Sequence, residues 1–207
     1  MRVELVNGSP NRNGSTSLAL AEVAKTLEEA GIETHVFWIG PKPVGGCMGC
    51  GKCAELGRCV IDDKVNDFRE LARAADGFVF GSPVHFASLS GTMTAFMDRV
   101  LYAGNEGLKN KPAACLVSAR RAGTTAALDQ LLKYPMYANM PIVATRYWPM
   151  VHGNAPADVE QDLEGLQIMR QMARNMVWML QCIQAGSEAG VPLPEHEEAR
   201  IATNFVR

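Results

Sequence analysis

The chain has 207 residues, 47% of them hydrophobic and 20% charged, with a net charge of −2. That length and apolar content suffice for one domain with a buried core and exclude a wholly disordered chain. The near-neutral balance excludes a nucleic-acid backbone binder, and no apolar run approaches the roughly 20 residues that span a bilayer.

Arg2–Val6 reads as a first strand, closed by Asn7-Gly8-Ser9-Pro10. The stretch Met1–Val6 is too short and too charged for a secretory signal, so a cytoplasmic location is expected. Ser15–Ala30 reads as a helix with Leu18, Ala21, Val23, Ala24 and Leu27 on its buried face and Gly31 at its end. Glu33–Trp38 alternates as a second strand, and a cysteine-rich insertion at about 43–61 follows. Val65–Ala75 is predicted helical, Gly77–Gly81 a short buried strand and Thr92–Tyr102 a helix. Ala113–Val117 reads as a strand, Thr124–Tyr137 as a helix and Pro141–Thr145 as a fifth strand. A long helix is expected over Asp158–Ala185, where Leu166, Met169, Met172, Met176, Met179 and Ile183 form a stripe suited to core packing or a subunit interface. Residues 1–186 then make one domain and 187–207 a polar tail.

Short, continuous apolar strands separated by helices predict an α/β fold: a doubly wound, five-stranded parallel sheet of flavodoxin-like order 2-1-3-4-5 with helices on both faces. Ligands of such sheets bind beyond the carboxyl ends of the strands. The first loop, Gly8 to Ser17, opens a helix, whose free N–H groups favour an anion. Ser9, Asn13, Ser15 and Thr16 add hydrogen-bonding groups and Arg12 adds charge, a set suited to a terminal phosphate or, more plainly, to a solvated turn with capping residues. It is neither of two familiar phosphate loops. Five residues separate Gly8 from Gly14 with Ser15 where a P-loop needs lysine, and Gly-x-Gly-x-x-Gly is missing.

The third strand runs into Gly81-Ser82-Pro83-Val84-His85-Phe86-Ala87-Ser88-Leu89-Ser90-Gly91, where two rings offer a stacking surface for a flat heteroaromatic ligand. Taken singly, His85 reads sooner as a satisfied surface histidine and Phe86 as simple core packing. Asp98 and Arg99, ending the next helix, are expected to hold this loop. The fourth strand leads to Ser118-Ala119-Arg120-Arg121-Ala122-Gly123-Thr124, whose arginines suit a phosphate or an anionic substrate and whose Thr124 suits an N-cap. Trp148 and His152 follow the fifth strand as pocket walls or as plain loop and core residues.

Six cysteines are present. Cys115 and Cys182 are isolated in apolar surroundings, while Cys47, Cys50, Cys53 and Cys59 follow Cys-x2-Cys-x2-Cys-x5-Cys among glycines. Four clustered thiols in a chain without a secretory signal point to metal or redox chemistry rather than disulfides. Three evenly spaced cysteines and a fourth suit a cubane cluster better than tetrahedral zinc, which draws on two separated knuckles. Empty thiols or a thiol pair remain the plain alternative.

Three motifs together carry a resemblance: Gly-Ser-Pro-x(3)-Gly-x-Thr from Gly8, Gly-Ser-Pro-Val-x-Phe-x-Ser-x-Ser-Gly-x-Met-x-x-Phe-x-Asp-Arg from Gly81, and Cys59-Val60-Ile61-Asp62-Asp63. Over about residues 1–125 the chain resembles the NADPH-dependent FMN reductase and iron–sulfur flavoprotein family of flavodoxin-like proteins. The resemblance implies that Ser9, Asn11, Asn13, Ser15 and Thr16 hold an FMN phosphate, to which Arg12 of the same loop would add charge. It implies that Pro83, Val84, His85, Phe86 and Ser88 flank the isoalloxazine, with tyrosine common in the family where His85 stands. The loop with Ser118, Arg120, Arg121 and Gly123 would take the other edge, and Cys47, Cys50, Cys53 and Cys59 would hold a 4Fe-4S cluster. The expected activity is an FMN-dependent oxidoreductase moving electrons from NAD(P)H to a small acceptor such as a flavin or quinone, or to an iron–sulfur centre. The cofactor carries that chemistry, so no catalytic side chain is named. A non-enzymatic electron carrier working with ferredoxin and a thiol- or zinc-based redox sensor are the alternatives. A homodimer or homotetramer is expected.

Overall fold

The computed structural model describes residues 1–194 together with Glu198, Ile201 and Thr203; the rest of the expected tail lies outside the described residues. Strand β1 (Arg2–Asn7) pairs in parallel with β2 (Glu33–Trp38) on one side and β3 (Gly77–His85) on the other. Strand β3 pairs in parallel with β5 (Ala113–Ala119), and β5 with β6 (Met150–His152). The two-residue β4 (Ser88–Leu89) folds back antiparallel on β3. Set β4 aside, and the order β2-β1-β3-β5-β6 is the doubly wound one expected, with the chain reversing its direction of growth at β1 and β3.

Alternation along the strands divides the core in two. Val6, Phe78, Phe80, Cys115 and Val117 face one cluster, built with α3 (Lys64–Ala74), α4 (Gly91–Tyr102) and α5 (Thr124–Tyr137). Val3, Leu5, Val79, Ala114 and Leu116 face the other, built with α1 (Ser15–Glu29) and α7 (Leu163–Glu188). Helix α1 buries Thr16, Ala19, Leu20, Val23, Ala24 and Leu27, a three- and four-residue spacing that presents one stripe to the sheet. In α7, Met169, Met172 and Met176 are buried while Ile183 is exposed, so the methionine stripe is core only in its first half.

Several expectations are corrected. The fifth sheet strand is Met150–His152, and Pro141–Thr145 supplies only a single bridge between Ala113 and Ile142. Pro141 has no N–H to give a ladder, so the segment touches the sheet edge without running along it. The long helix breaks into α6 (Pro156–Val159) and α7, because the Asp162 side chain accepts from Gly165 N–H at 2.9 Å and starts a new helix there. Thr124 is the first residue of α5 and caps nothing; Gly123 occupies the cap position at φ 90°. Cys182 lies exposed on the outer side of α7. Among the described residues no helix is long and apolar enough to cross a membrane.

Candidate functional site

The loop after β1 is coiled by its own side chains. Buried Asn7 accepts from Ser9 N–H at 3.0 Å, Ser9 Oγ from Asn11 N–H at 3.1 Å, and Asn11 Oδ1 from Asn13 N–H at 3.2 Å. Three other elements brace it: Gly8 N–H donates to Gly81 O, Ser90 Oγ to Gly8 O and Trp38 Nε1 to Ser9 O, each at 2.8 Å. The loop enters α1 at Gly14, which offers no side-chain cap. Among the described residues the N–H groups of Arg12, Ser15, Thr16 and Ser17 find no acceptor, and Asn7 Nδ2 is buried without a partner. Free donors at a helix start, in a loop already rigid, match a phosphate group.

The second wall comes from β3. Ser82 and Ser90 of the Gly-Ser-Pro motif are buried and tie loops together: Ser90 N–H donates to Ser82 Oγ at 3.2 Å, and Ser90 Oγ caps α4 at Met93 N–H. Beyond Pro83 the chain makes a tight hairpin. Phe86 and Ala87 stand at its tip with φ of 51° and 58°, a left-handed pair without glycine, and Phe86 is fully exposed. Helix α5 holds this strained tip, because Gln130 Oε1 accepts from Ser88 Oγ at 2.6 Å and from Leu89 N–H at 3.1 Å.

Between these loops runs a cleft of about 390 Å³. It brings together Ser9, Asn11, Ser15, Thr16, Pro83, Val84, His85, Ser118 and Arg120 from the expected set. Arg12 instead lies 5.5 Å over the Trp38 ring, and Asn13, Phe86, Ser88, Arg121 and Gly123 do not line the cleft. Ser88 and Gly123 support the hairpin from behind; a Cβ on Gly123 would stand 2.7 Å from Ala87 Cα. Thr16 Oγ1 and Ser118 Oγ, 2.7 Å apart and buried, join the first loop to the end of β5.

The far wall, Gly153, Asn154, Ala155 and Pro156, carries residues that sequence reasoning did not assign to the site. Ser15 Oγ donates to Gly153 O at 3.3 Å, and Asp158 receives the N–H groups of Asn154 and Ala155. Proline at the first position of a short helix, with aspartate two residues on, was the readable sign. Trp148 and His152 do not line the cleft: Trp148 packs edge-on to Tyr147 at 4.5 Å, and His152 N–H donates to Asp162 Oδ2 at 2.7 Å.

The four-cysteine segment builds a separate cavity of about 130 Å³, walled by Cys47, Cys50, Cys53, Cys59, Arg99 and Tyr102 among others. Gly49 and Gly51, at φ 64° and 70°, turn the chain between the first three cysteines. Cys53 opens the one-turn helix α2 (Cys53–Leu56), and Arg69 Nη1 donates to Gly57 O behind it. All four thiols are free; among the described residues no three such donors converge on one point as a single ion requires. Four free thiols lining one cavity have the donor chemistry of iron–sulfur ligands, and Cys47, Cys50, Cys53 and Cys59 would hold such a centre. Arg99, expected to hold the loop after β3, reaches the cysteine segment instead, and Asp98 accepts from Tyr134 OH at 2.8 Å. Burial opposes the Arg99 charge, but hydrogen bonds to Asp63 and Cys59 outweigh it and hold the guanidinium above its ordinary range.

Residues 1–155 match the family model of NADPH-dependent FMN reductases. The chain is 30% identical over 194 residues to an iron–sulfur flavoprotein of Methanocaldococcus jannaschii, covering 89% of this chain and 100% of that one. It is 28% identical to an iron–sulfur flavoprotein of Methanosarcina thermophila, over 89% of this chain and 97% of the relative. Among solved structures, RosB, determined with 8-demethyl-8-formylriboflavin-5′-phosphate bound, superposes with a TM-score of 0.67 at 16% identity over 100% of this chain and 92% of that one, a likeness of fold. Fold, phosphate-ready loop and sequence agree: the chain belongs to the NADPH-dependent FMN reductase family, beside the iron–sulfur flavoproteins, and its cofactor is FMN.

Proposed function

We propose that the protein takes electrons from NAD(P)H through FMN in the cleft between the β1, β3 and β5 loops, and passes them to an iron–sulfur cluster in the four-cysteine cavity and so to an external acceptor. The carrying observation is the set of unsatisfied N–H groups at Arg12, Ser15, Thr16 and Ser17 beside a cleft of about 390 Å³. Bound there, FMN supplies hydride acceptance from a nicotinamide and one- or two-electron donation onward. The chain's part is position and electrostatics. The first turn of α1 and Asn11 hold the phosphate, and the Thr16–Ser118 pair fixes the distance between the two loops. Pro83, Val84 and His85 make the stiff wall against which the ring system would lie. Arg120 gives the cleft positive charge toward an anionic nucleotide.

The names of the relatives and the free thiols around one cavity support the cluster. A second reading, an electron carrier without nicotinamide activity, is favoured by the exposed Met48, Val60 and Tyr102 that rim the cysteine cavity, an apolar lip suited to a redox protein such as ferredoxin. Exposed Trp148, Trp178 and Phe86 on the single chain support a homo-oligomer. Anaerobic protein loaded with FMN is mixed with NADPH or NADH and the flavin absorption followed. Bleaching supports the reductase; stable flavin colour with either nucleotide, in protein whose flavin dithionite does bleach, leaves the carrier.

A further inference from the structure

Arg99 is the one charged side chain of α4 turned wholly inward: its side chain is 1% exposed. Every acceptor it finds lies in the segment 45–63. Nε and Nη2 donate to Cys59 Sγ at 3.3 and 3.2 Å. Nη1 and Nη2 grip the Asp63 carboxylate in a two-pronged pair at 2.6 and 2.9 Å. Nη1 also reaches Gly45 O at 3.3 Å, and Nη2 reaches Ile61 O at 2.9 Å. Both ends of the cysteine segment are thus fastened to one planar group.

Asp63 alone would balance the buried charge, and the two carbonyls alone would anchor the loop. Neither need accounts for two N–H groups aimed at one sulfur. Cys47 receives only Gly49 N–H at 3.5 Å, and Cys50 and Cys53 receive none among the described residues, so Cys59 is set apart. We propose that Arg99 is the positioning residue of the cysteine cavity, fixing the Cys59 sulfur on its wall and raising the reduction potential of the cluster held there. This rests on the cluster reading given above. Reduction adds negative charge that spreads onto the ligand sulfurs, so N–H groups already pointing at a sulfur stabilise the reduced state more than the oxidised one. Asp63, clasped by the same guanidinium, acts with the opposite sign. Lysine keeps the charge of Arg99 but has a single nitrogen, which cannot bridge Cys59 and Asp63 as the planar fork does.

The test uses anaerobically reconstituted full-length protein: wild type, Arg99→Lys and Asp63→Asn. FMN per chain, iron per chain and the cluster midpoint by redox titration under electron paramagnetic resonance are measured. Arg99→Lys is expected to keep its FMN, and its reduced-to-oxidised cluster ratio at the wild-type midpoint is expected to fall at least tenfold, about 59 mV for a one-electron centre. Asp63→Asn, which keeps the helix cap on Val65 N–H, is expected to move the midpoint up. Wild-type midpoints in both variants, or shifts of the same sign, overturn the role of Arg99 while leaving the cluster in place. Wild type that binds FMN but takes up no iron overturns the cluster and this role together. If Arg99→Lys fails to hold FMN, Asp63→Asn decides alone: an upward shift supports the role, and an unchanged or lower midpoint overturns it.

Discussion

At the scale of single residues, the hairpin beside the cleft is where backbone strain and close contact coincide. Phe86 and Ala87 both sit in the left-handed region, and Gly123 at φ 90° packs against Ala87 and Val84. Alanine at Gly123 meets two penalties, the conformation and a Cβ only 2.7 Å from Ala87 Cα. Gly31 shares the conformation, at φ 76°, but has nothing within 4 Å of an added Cβ. Gly31→Ala is expected to cost about 1 kcal/mol in urea unfolding of the apoprotein. Gly123→Ala is expected to cost about 1–3 kcal/mol more and to weaken FMN binding at least tenfold by pushing the hairpin into the cleft. Equal costs at the two glycines would show that the contact with Ala87 is soft. Residue roles were legible unevenly. The Gly-Ser-Pro motif pointed to a loop that lines the cleft at Pro83, Val84 and His85, yet Ser82 and Ser90 turn out to bind loop to loop. The pair Asp98-Arg99 was visible, but a sequence does not show that adjacent helix positions point to different neighbours, here Tyr134 and the cysteine segment.

Elements were more legible than contacts because each parallel strand is a continuous apolar run between helical stripes, and that contrast survives without tertiary information. The failure at Pro141–Thr145 has a local cause: an apolar run with proline at its head looks like a strand but lacks the donor that pairing needs. The tie between α4 and α5 was invisible, since it joins residues 36 positions apart through Tyr134 OH and Asp98. Burial first, and then the bond to Asp98, push the tyrosine hydroxyl above its ordinary range. A group whose folded value is raised contributes its stability fully below the unfolded value and loses it as pH rises through the folded one. Tyr134→Phe is therefore expected to lower stability by about 1 kcal/mol at neutral pH, a half-buried hydrogen bond's worth. The gap between wild type and variant should shrink above about pH 10, where unfolded tyrosine ionises. Urea midpoints taken across that range check it; a gap that stays constant with pH would mean the hydroxyl contributes no proton-linked stability.

For the whole molecule, the cleft and the cysteine cavity share no lining residue, so the flavin site can be tested by itself. Its far wall was the least legible part, because Gly153–Pro156 reaches the cleft only after β6 has joined the sheet edge, far along the chain from the phosphate loop. Binding to the folded state alone stabilises it by RT ln(1 + [L]/Kd), about 2.7 kcal/mol at a hundredfold excess over Kd. For a chain of this length each kcal/mol moves the melting midpoint by about 2–4 °C, so FMN at that excess is expected to raise Tm by about 5–11 °C. Riboflavin presents the same rings without the phosphate. If the free N–H groups at Arg12, Ser15, Thr16 and Ser17 anchor the ligand, riboflavin at the same concentration should give only a small part of that shift. A shift as large as that of FMN would place the binding energy in the ring contacts of Pro83, Val84 and His85, and the loop after β1 would lose its assigned role.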